Sequence, residues 1–374
     1  MIDKILLFPY YLWLSARNAR YANGRHSRSA EVPTICVGNV TVGGTGKTPH
    51  TEMILRMLLQ SDEWGAKNIA VLSRGYKRKS HGFQQVGRES KASLAGDEPL
   101  QIKRKFPSMT VAVDKDRIEG CELLCHPEKL ADRKVARRCR LREWSAADLI
   151  VLDDAFQYRR LKASLNIVLV DYNRPPHKDR LLPLGRLRDL PSRLDDADIL
   201  IVTKCPYQLE DEEKQAFLSD MGFSGFDPAR SDGVNRSGRH QLVLFSCTRY
   251  LPVTPMYAAS DPHYIYSKRV ILFSAIANDT PLRYYLSDTY KIAGRFAFPD
   301  HHRFTDGDFR QILREVDNCP TAAVLTTEKD AQRVLDIHSI PERLRDRMFY
   351  IPIESHFLTE QEEALFRARL CALR

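Results

Sequence analysis

The segment Thr41-Val42-Gly43-Gly44-Thr45-Gly46-Lys47-Thr48 has the residue types that can close a backbone around phosphate oxygens. Glycines let main-chain N–H groups converge on an anion, and a helix starting at Lys47 would add its favourable N-terminal dipole. Lys47 can neutralise β- and γ-phosphates, and the Thr48 hydroxyl can hold magnesium. The usual G-x-x-x-x-G-K-[ST] pattern has glycine where Thr41 stands, but Gly43 and Gly44 supply the missing freedom. The bland alternative is a glycine turn followed by a chance Lys-Thr. An apolar run before the loop and an amphipathic pattern after it favour the phosphate loop, and with it ATP or a similar triphosphate and Mg2+.

Four more clusters can do chemistry. Asp153-Asp154 ends an apolar run, where an acid holds magnesium directly or through water; two adjacent acids repel each other unless a cation offsets them. Gly96-Asp97-Glu98-Pro99 precedes a helical pattern. Its acids could simply cap that helix, or one could take a proton from an acceptor hydroxyl. Asp114, Asp116 and Arg117 follow another apolar run, so Arg117 could reach a γ-phosphate or form a local ion pair. Asp300-His301-His302 offers two imidazoles that could bind metal, with no evident third ligand, or act through protons.

Positioning these groups requires an alternation of short apolar strands and helices. Apolar runs at 34–37, 69–72, 110–113, 149–152, 167–170 and 199–202 read as strands buried on both faces, and residues 48–59 have helical spacing. Strands separated by helical patterns imply crossovers and a mostly parallel sheet. A second, smaller α/β series has strands at 270–273, 291–298, 322–325 and 349–353, with helical patterns at 309–316 and 360–370. The expected fold class is therefore α/β, a P-loop NTPase domain at 31–250 and a smaller C-terminal α/β domain at 251–374. The region 206–262 is harder to parse, with one strand at 242–245.

Residues 5–14 carry no charge, and Arg17, Arg20, Arg25 and Arg28 follow with no acid between Asp3 and Glu31. This order is the reverse of a signal peptide, and ten apolar residues cannot cross a bilayer. Residues 1–30 are expected to be a membrane-associated helix, with Tyr10, Tyr11 and Trp13 at headgroup level and the arginines toward anionic lipid. The alternative is a helix packed on its own domain. The stretch 126–147 is an insertion rich in Lys129, Arg133, Lys134, Arg137, Arg138, Arg140 and Arg142, either a solvated face or a patch for an acidic substrate or membrane.

The chain has 374 residues, enough for two domains, and a net charge of +9 that favours acidic partners without choosing among them. Its eight cysteines form no C-x-x-C pair and are expected to be reduced thiols.

Together the segments VGNVTVGGTGKTP (37–49), SRGY (73–76), GDEP (96–99), VAVDKDR (111–117), VLDDAFQ (151–157), LLPLGRLRD (181–189), FSAIAN (273–278), FPDHHRF (298–304) and TTEKDAQR (326–333) resemble, in order, the tetraacyldisaccharide 4′-kinase (lipid A 4′-kinase) family. The resemblance implies ATP-dependent phosphorylation of the 4′-hydroxyl of a tetraacyl glucosamine disaccharide 1-phosphate in lipid A biosynthesis. It implies catalysis at the cytoplasmic face of the bacterial inner membrane, with the smaller domain closing over the site. On this chain Asp97 matches the catalytic base and His301 its partner. Lys47 and Thr48 serve phosphate and magnesium, and Asp153 and Asp154 match metal-side acids. Tyr76, Glu98, Arg117 and Gln157 match active-site neighbours. Two positions depart from the family's DDGFQH, which reads DDAFQY here through Ala155 and Tyr158; the 174–180 loop, with PPHKD, departs as well. A P-loop switch ATPase and a nucleic-acid-binding ATPase are the competing classes; no helix-turn-helix or aromatic RNA-binding signature supports the latter, and no nucleic acid is expected as partner.

Overall fold

Strands β1 (Thr34–Gly38), β2 (Ile69–Ser73), β5 (Leu149–Asp153) and β7 (Ile199–Thr203) are buried at every position. So are the last three residues of β4 (Thr110–Val113), and β6 (Leu165–Asp171) is buried along most of its length. Continuous Val, Ile and Leu runs suit a sheet covered on both faces. In the computed structural model, which describes residues 2–22, 24–131, 139 and 143–373, these strands form an eleven-stranded sheet. Ten of them run in the order β3-β4-β2-β5-β1-β6-β7-β10-β9-β8, where β3 is Gln84–Gln85, β8 Gly225–Asp227, β9 Asp232–Val234 and β10 His240–Tyr250, and the eleventh, Ile353–Phe357, pairs with β10 off this path. The run from β4 to β10 is parallel, and the short antiparallel strands lie at the edges.

Helices α1 (Ile2–Ala22), α2 (Lys47–Leu59), α3 (Asp97–Lys105), α4 (Arg117–Cys125) and α5 (Asp211–Asp220) connect or flank this sheet. Strand side chains alternate between two cores. Cys36 joins Leu14 of α1 and Leu124 of α4, whereas Ile35 and Val37 join Ile54 and Leu58 of α2. Burial pushes the Cys36 and Cys121 thiols up to about 12, so both stay protonated.

A second sheet runs β11 (Thr254–Pro255), β15 (Met348–Ile351), β14 (Ala323–Thr327), β12 (Arg269–Ser274) and β13 (Lys291–Ala297). It is parallel apart from β11. Helices α6 (Thr280–Ser287), α7 (Asp306–Asn318) and α8 (Glu328–Val334) accompany it.

The chain does not stay in this smaller unit to its end. Expected strand 349–353 is interrupted at Pro352, and β16 (Ile353–Phe357) pairs antiparallel with the second half of β10. Helix α9 (Glu360–Cys371) then places Phe366 and Leu370 in the core beneath α2. Trp64 Nε1 donates to the Leu370 carbonyl at 3.2 Å, and the Phe245 N–H donates to Glu362 Oε1 at 3.0 Å. Residues 353–371 thus belong with the larger sheet, a difference from the expected boundary at 251–374. Strand β10 also explains why 206–262 was hard to parse. It pairs with β7 through 242–245, with β9 through 240–242 and with β16 through 246–250, so one strand serves three partners.

The two units meet where α3 packs on α8. Lys105 lies 2.7 Å from the buried Glu52 and 3.1 Å from Glu328, and Arg104 lies 3.5 Å from Asp336. The contact is therefore polar and charged, and it joins the helix that begins at Asp97 to the helix that carries Lys329 and Arg333.

Candidate active site

The 39–46 loop emerges from β1 at the carboxyl edge of the large sheet and leads into α2. Gly43 and Gly46 have φ of 89° and 83°, the left-handed region that suits glycine. The loop is braced from inside. Asn39 Nδ2 donates to Thr45 Oγ1 at 2.7 Å, and Thr203 Oγ1 at the end of β7 donates to the Thr45 carbonyl at 3.0 Å. Thr41 is buried and bridges to Leu187, so it acts as part of the frame and the glycines after it form the bend. Gly38 has a separate cause: a Cβ there would sit 2.4 Å from Phe156 Cβ.

Asp153 and Asp154 stand at the end of β5 beside this loop. Asp153 accepts from Ser73 Oγ at 3.0 Å and Thr51 Oγ1 at 3.4 Å. Burial and the adjacent Asp154 push its carboxyl up to about 6. Asp154 is half-buried, and Lys47 at 3.8 Å and the Arg188 guanidinium offset the desolvation and hold it at about 2. Its φ of 51° is an uncommon backbone state for a residue with a Cβ, of the sort that accumulates at functional sites. Burial in turn lowers the Lys47 pKa. Arg188 also donates to the Asn39 side-chain carbonyl, so one guanidinium ties the phosphate loop to the acid pair.

Asp97 is the first residue of α3, after the N-cap Gly96, and the hydrogen bond of its carboxylate among the described residues goes to His301 and not to a main-chain N–H of that helix. It reaches across to the smaller unit. His301 Nδ1 lies 3.1 Å from Asp97 Oδ2, and Arg333 Nε lies 3.6 Å from the same oxygen. His301 has φ of 62°, so the turn after β13 is bent to aim its ring. Glu98 pairs with Lys329 at 3.0 Å, and Lys329 Nζ lies 3.4 Å from His301 Nε2 and 3.8 Å from Asp300. Burial opposes the Lys329 charge, but Glu98 and Asp300 outweigh it and raise its pKa. The Tyr76 ring sits 5.6 Å from the His301 ring and is exposed. Gly96, at φ 96°, is held against Gly75, which a Cβ would approach to 3.1 Å; this contact draws SRGY against GDEP. Glu98 is also near enough to act on the charge states of Lys47 and Asp153. The Asp97–His301 pair therefore lies near the phosphate loop and the acid pair, with Glu98 between them in effect.

The other sequence candidates divide. Arg117 is buried, with its guanidinium donating to the Asp114 carbonyl at 3.0 Å and the Asp154 carbonyl at 3.4 Å. Asp116 caps α4 and accepts from Tyr158 OH at 2.6 Å, which gives the tyrosine at that family-departing position a local partner. Gln157 donates through Nε2 to the Asn39 carbonyl. The two histidines part company. His302 Nε2 lies 2.9 Å from Asp308 Oδ2 in the capping box of α7 and stacks on Phe298, so the adjacent pair does not converge on a common point. Among the described residues, no group of three His, Cys, Asp or Glu side chains is gathered to hold a metal. Asn39, Arg188, Lys329 and Arg333 are site neighbours to which the sequence reading gave no role. The Asn39–Arg188 contact spans 149 positions, and only the presence of both residues inside motif segments hinted at it.

Of the basic insertion, Lys129 pairs with Glu122 at 2.6 Å. Arg133, Lys134, Arg137, Arg138, Arg140 and Arg142 lie outside the described residues.

The sequence profile of the tetraacyldisaccharide-1-P 4′-kinase family matches residues 4–371. A tetraacyldisaccharide 4′-kinase from Phocaeicola vulgatus is 36% identical over 366 residues, covering 96% of this chain and 90% of the relative. One from Porphyromonas gingivalis is 38% identical over 352 residues, covering 90% and 87%. The crystal structure of LpxK from Aquifex aeolicus, solved in complex with ATP, superposes with a TM-score of 0.66 at 25% identity and 99% coverage of both chains. A phosphate loop facing an acid pair and an Asp–His pair is thus found in a chain that is similar to these kinases over nearly its whole length, and the chain belongs to the tetraacyldisaccharide-1-P 4′-kinase family.

Proposed function

We propose that this chain transfers the γ-phosphoryl group of ATP to the 4′-hydroxyl of a tetraacyl glucosamine disaccharide 1-phosphate, with Asp97 as the base. The observation that carries the reading is the Asp97 carboxylate, held by His301 at 3.1 Å, with its neighbour Glu98 close enough to act on Lys47 of the phosphate loop. Phosphoryl transfer needs positioning and charge neutralisation, with a weak base for the acceptor proton. Lys47, Arg188 and the glycine-loop N–H groups supply positive charge at the donor end. Asp97 receives the acceptor proton, while His301 and Arg333 orient the carboxylate. Tyr76, exposed beside His301, offers a face to the sugar. Arg117 and Gln157 hold the backbone around Asp154 and Asn39.

The donor set suits magnesium. Asp153 and Asp154 are adjacent carboxylates at a strand end, and burial first, then the Asp154 charge, push Asp153 up, a cost that a bound dication would offset. Thr48, Asp153 and Asp154 would hold it, and it would supply charge neutralisation for phosphoryl transfer.

The membrane reading has its support in α1. Leu14 is fully buried, and Leu7 and Tyr10 pack inward, but Phe8, Tyr11, Leu12 and Trp13 are exposed. Tyr10 thus faces the domain, a departure from its expected place at the headgroups. No helix among the described residues is long and apolar enough to cross a membrane. An exposed apolar strip followed by arginines suits an interfacial helix at the cytoplasmic face of the inner membrane. The test is transfer of label from ATP to the lipid disaccharide in detergent: Asp97→Asn is expected to lower it by at least about 100-fold, and near-normal turnover would assign the base elsewhere.

A further inference from the structure

The inner face of α1 is bonded to the two segments that shape the phosphate end of the site. Arg17 donates to the Gln157 carbonyl at 2.8 Å, and the Gln157 side chain holds the Asn39 carbonyl at the root of the phosphate loop. Asn18 Nδ2 donates to Asp189 Oδ1 at 3.2 Å. Asp189 is fully buried and is the neighbour in sequence of Arg188, which grips both Asp154 and Asn39. Asn18 also accepts from Arg159, two residues beyond Gln157, and Arg159 lies over the Tyr21 ring at 5.6 Å. Arg17 and Asn18, adjacent on α1, thus bond to Gln157, Arg159 and Asp189, and Arg188 immediately precedes Asp189 in the chain. Surface anchoring alone requires none of these bonds, because Leu14 already seats the helix.

We infer that Arg17 and Asn18 are positioning residues through which the seating of α1 sets the placement of Gln157, Arg188 and Asp154 around the nucleotide. Nothing in the bonds passes through the lipid acceptor, so the coupling reaches ATP directly. The same helix presents its apolar strip outward, and a shift of α1 on a surface would therefore be felt at the phosphates.

The inference rests on reading Asp154 and Arg188 as the phosphate end, and wild-type ATP binding tests that reading separately. The experiment uses the full chain and a fluorescent ATP analogue with magnesium in the absence of lipid acceptor, followed by steady-state transfer to the lipid disaccharide. Arg17→Met and Asn18→Leu are expected to weaken nucleotide binding and to lower kcat by about 10-fold, the scale of a small misplacement of reacting groups. The KM for lipid should change little. Arg17→Lys, which keeps one donor for the Gln157 carbonyl, should restore most of the loss. Unchanged nucleotide affinity and kcat would overturn the inference, as would a defect confined to the lipid KM. A loss that tracks only the fraction of folded protein, with no rescue by Arg17→Lys, would also overturn it. If the wild type itself fails to bind nucleotide, the reading of the phosphate end fails instead.

Discussion

At the residue scale the site is a set of charges kept in their states by their neighbours. Asp154 stays ionised because Lys47 and Arg188 offset its burial, so Arg188→Met removes a cation from both the carboxylate and Asn39. Asp154 is half-buried and keeps Lys47, so the loss is of one charged hydrogen-bond partner and not of full compensation. That loss at the phosphate end is expected to lower kcat by at least about 10-fold, read from transfer kinetics at saturating ATP; full turnover would place Arg188 outside the machinery. Lys47→Ala is expected to lower transfer by at least about 100-fold for the same electrostatic reason. Asp97 differs in kind, since its partners come from the other unit. Its role was legible only through the order of motifs. Asp97 and His301 are 204 positions apart, and no local spacing brings them together. Local sequence left Asp97 as a plausible cap and His301 as half of a histidine pair; the structure joins Asp97 to His301 and sends His302 to Asp308.

At the scale of elements, buried apolar strands were the most readable feature, because a strand covered on both faces must be apolar throughout. What could not be read was where a strand changes partners. Pro352 cannot donate to a ladder, and it divides an apparently single run into β15 of one sheet and β16 of the other. Packing between elements is tight beside the site. Gly38→Ala would drive a Cβ to 2.4 Å from Phe156 Cβ. We expect destabilisation of about 2 kcal/mol, within the range for overpacking a filled core, measured by denaturant unfolding; a variant as stable as wild type would show that the 155–157 segment can move. The α3–α8 contact carries a pH signature. Burial and the neighbouring Glu52 push Glu328 up to about 7, despite Lys105 between them. A carboxyl with a raised folded value holds its proton in the fold when the unfolded chain has lost it. Its contribution is therefore complete below the ordinary value of 4.5 and is lost as pH rises through about 7. Glu328→Gln should flatten the decline in stability over that window and raise the Tm at about pH 8 relative to wild type; parallel Tm profiles for the two proteins would remove Glu328 from the account.

At the scale of the molecule, two α/β units meet at the charged α3–α8 contact, the chain leaves the larger sheet after β10 and returns to it at β16, and the last helix packs on the first unit. This arrangement puts the phosphate loop and acid pair on one unit and the partners of Asp97 on the other, so the proposed base has its partners only when the units are together. Helix α1 adds a third direction, with an apolar strip facing outward from the larger unit. Replacing Phe8 and Trp13 with serine should lower sedimentation with anionic vesicles, since each removes an exposed aromatic worth about 1.5–3 kcal/mol if fully buried in the interface; unchanged sedimentation would leave the arginines as the only membrane contact. The central claim is that the Asp97–His301 pair delivers the acceptor hydroxyl to a phosphoryl group held by the 43–48 loop. The most direct test follows labelled γ-phosphate from ATP onto the tetraacyl disaccharide 1-phosphate, for wild type and Asp97→Asn side by side. The account predicts label at the 4′ position with the wild type and a loss of at least about 100-fold with the variant; ATP hydrolysis with no label on the lipid, or equal transfer by both proteins, would contradict it.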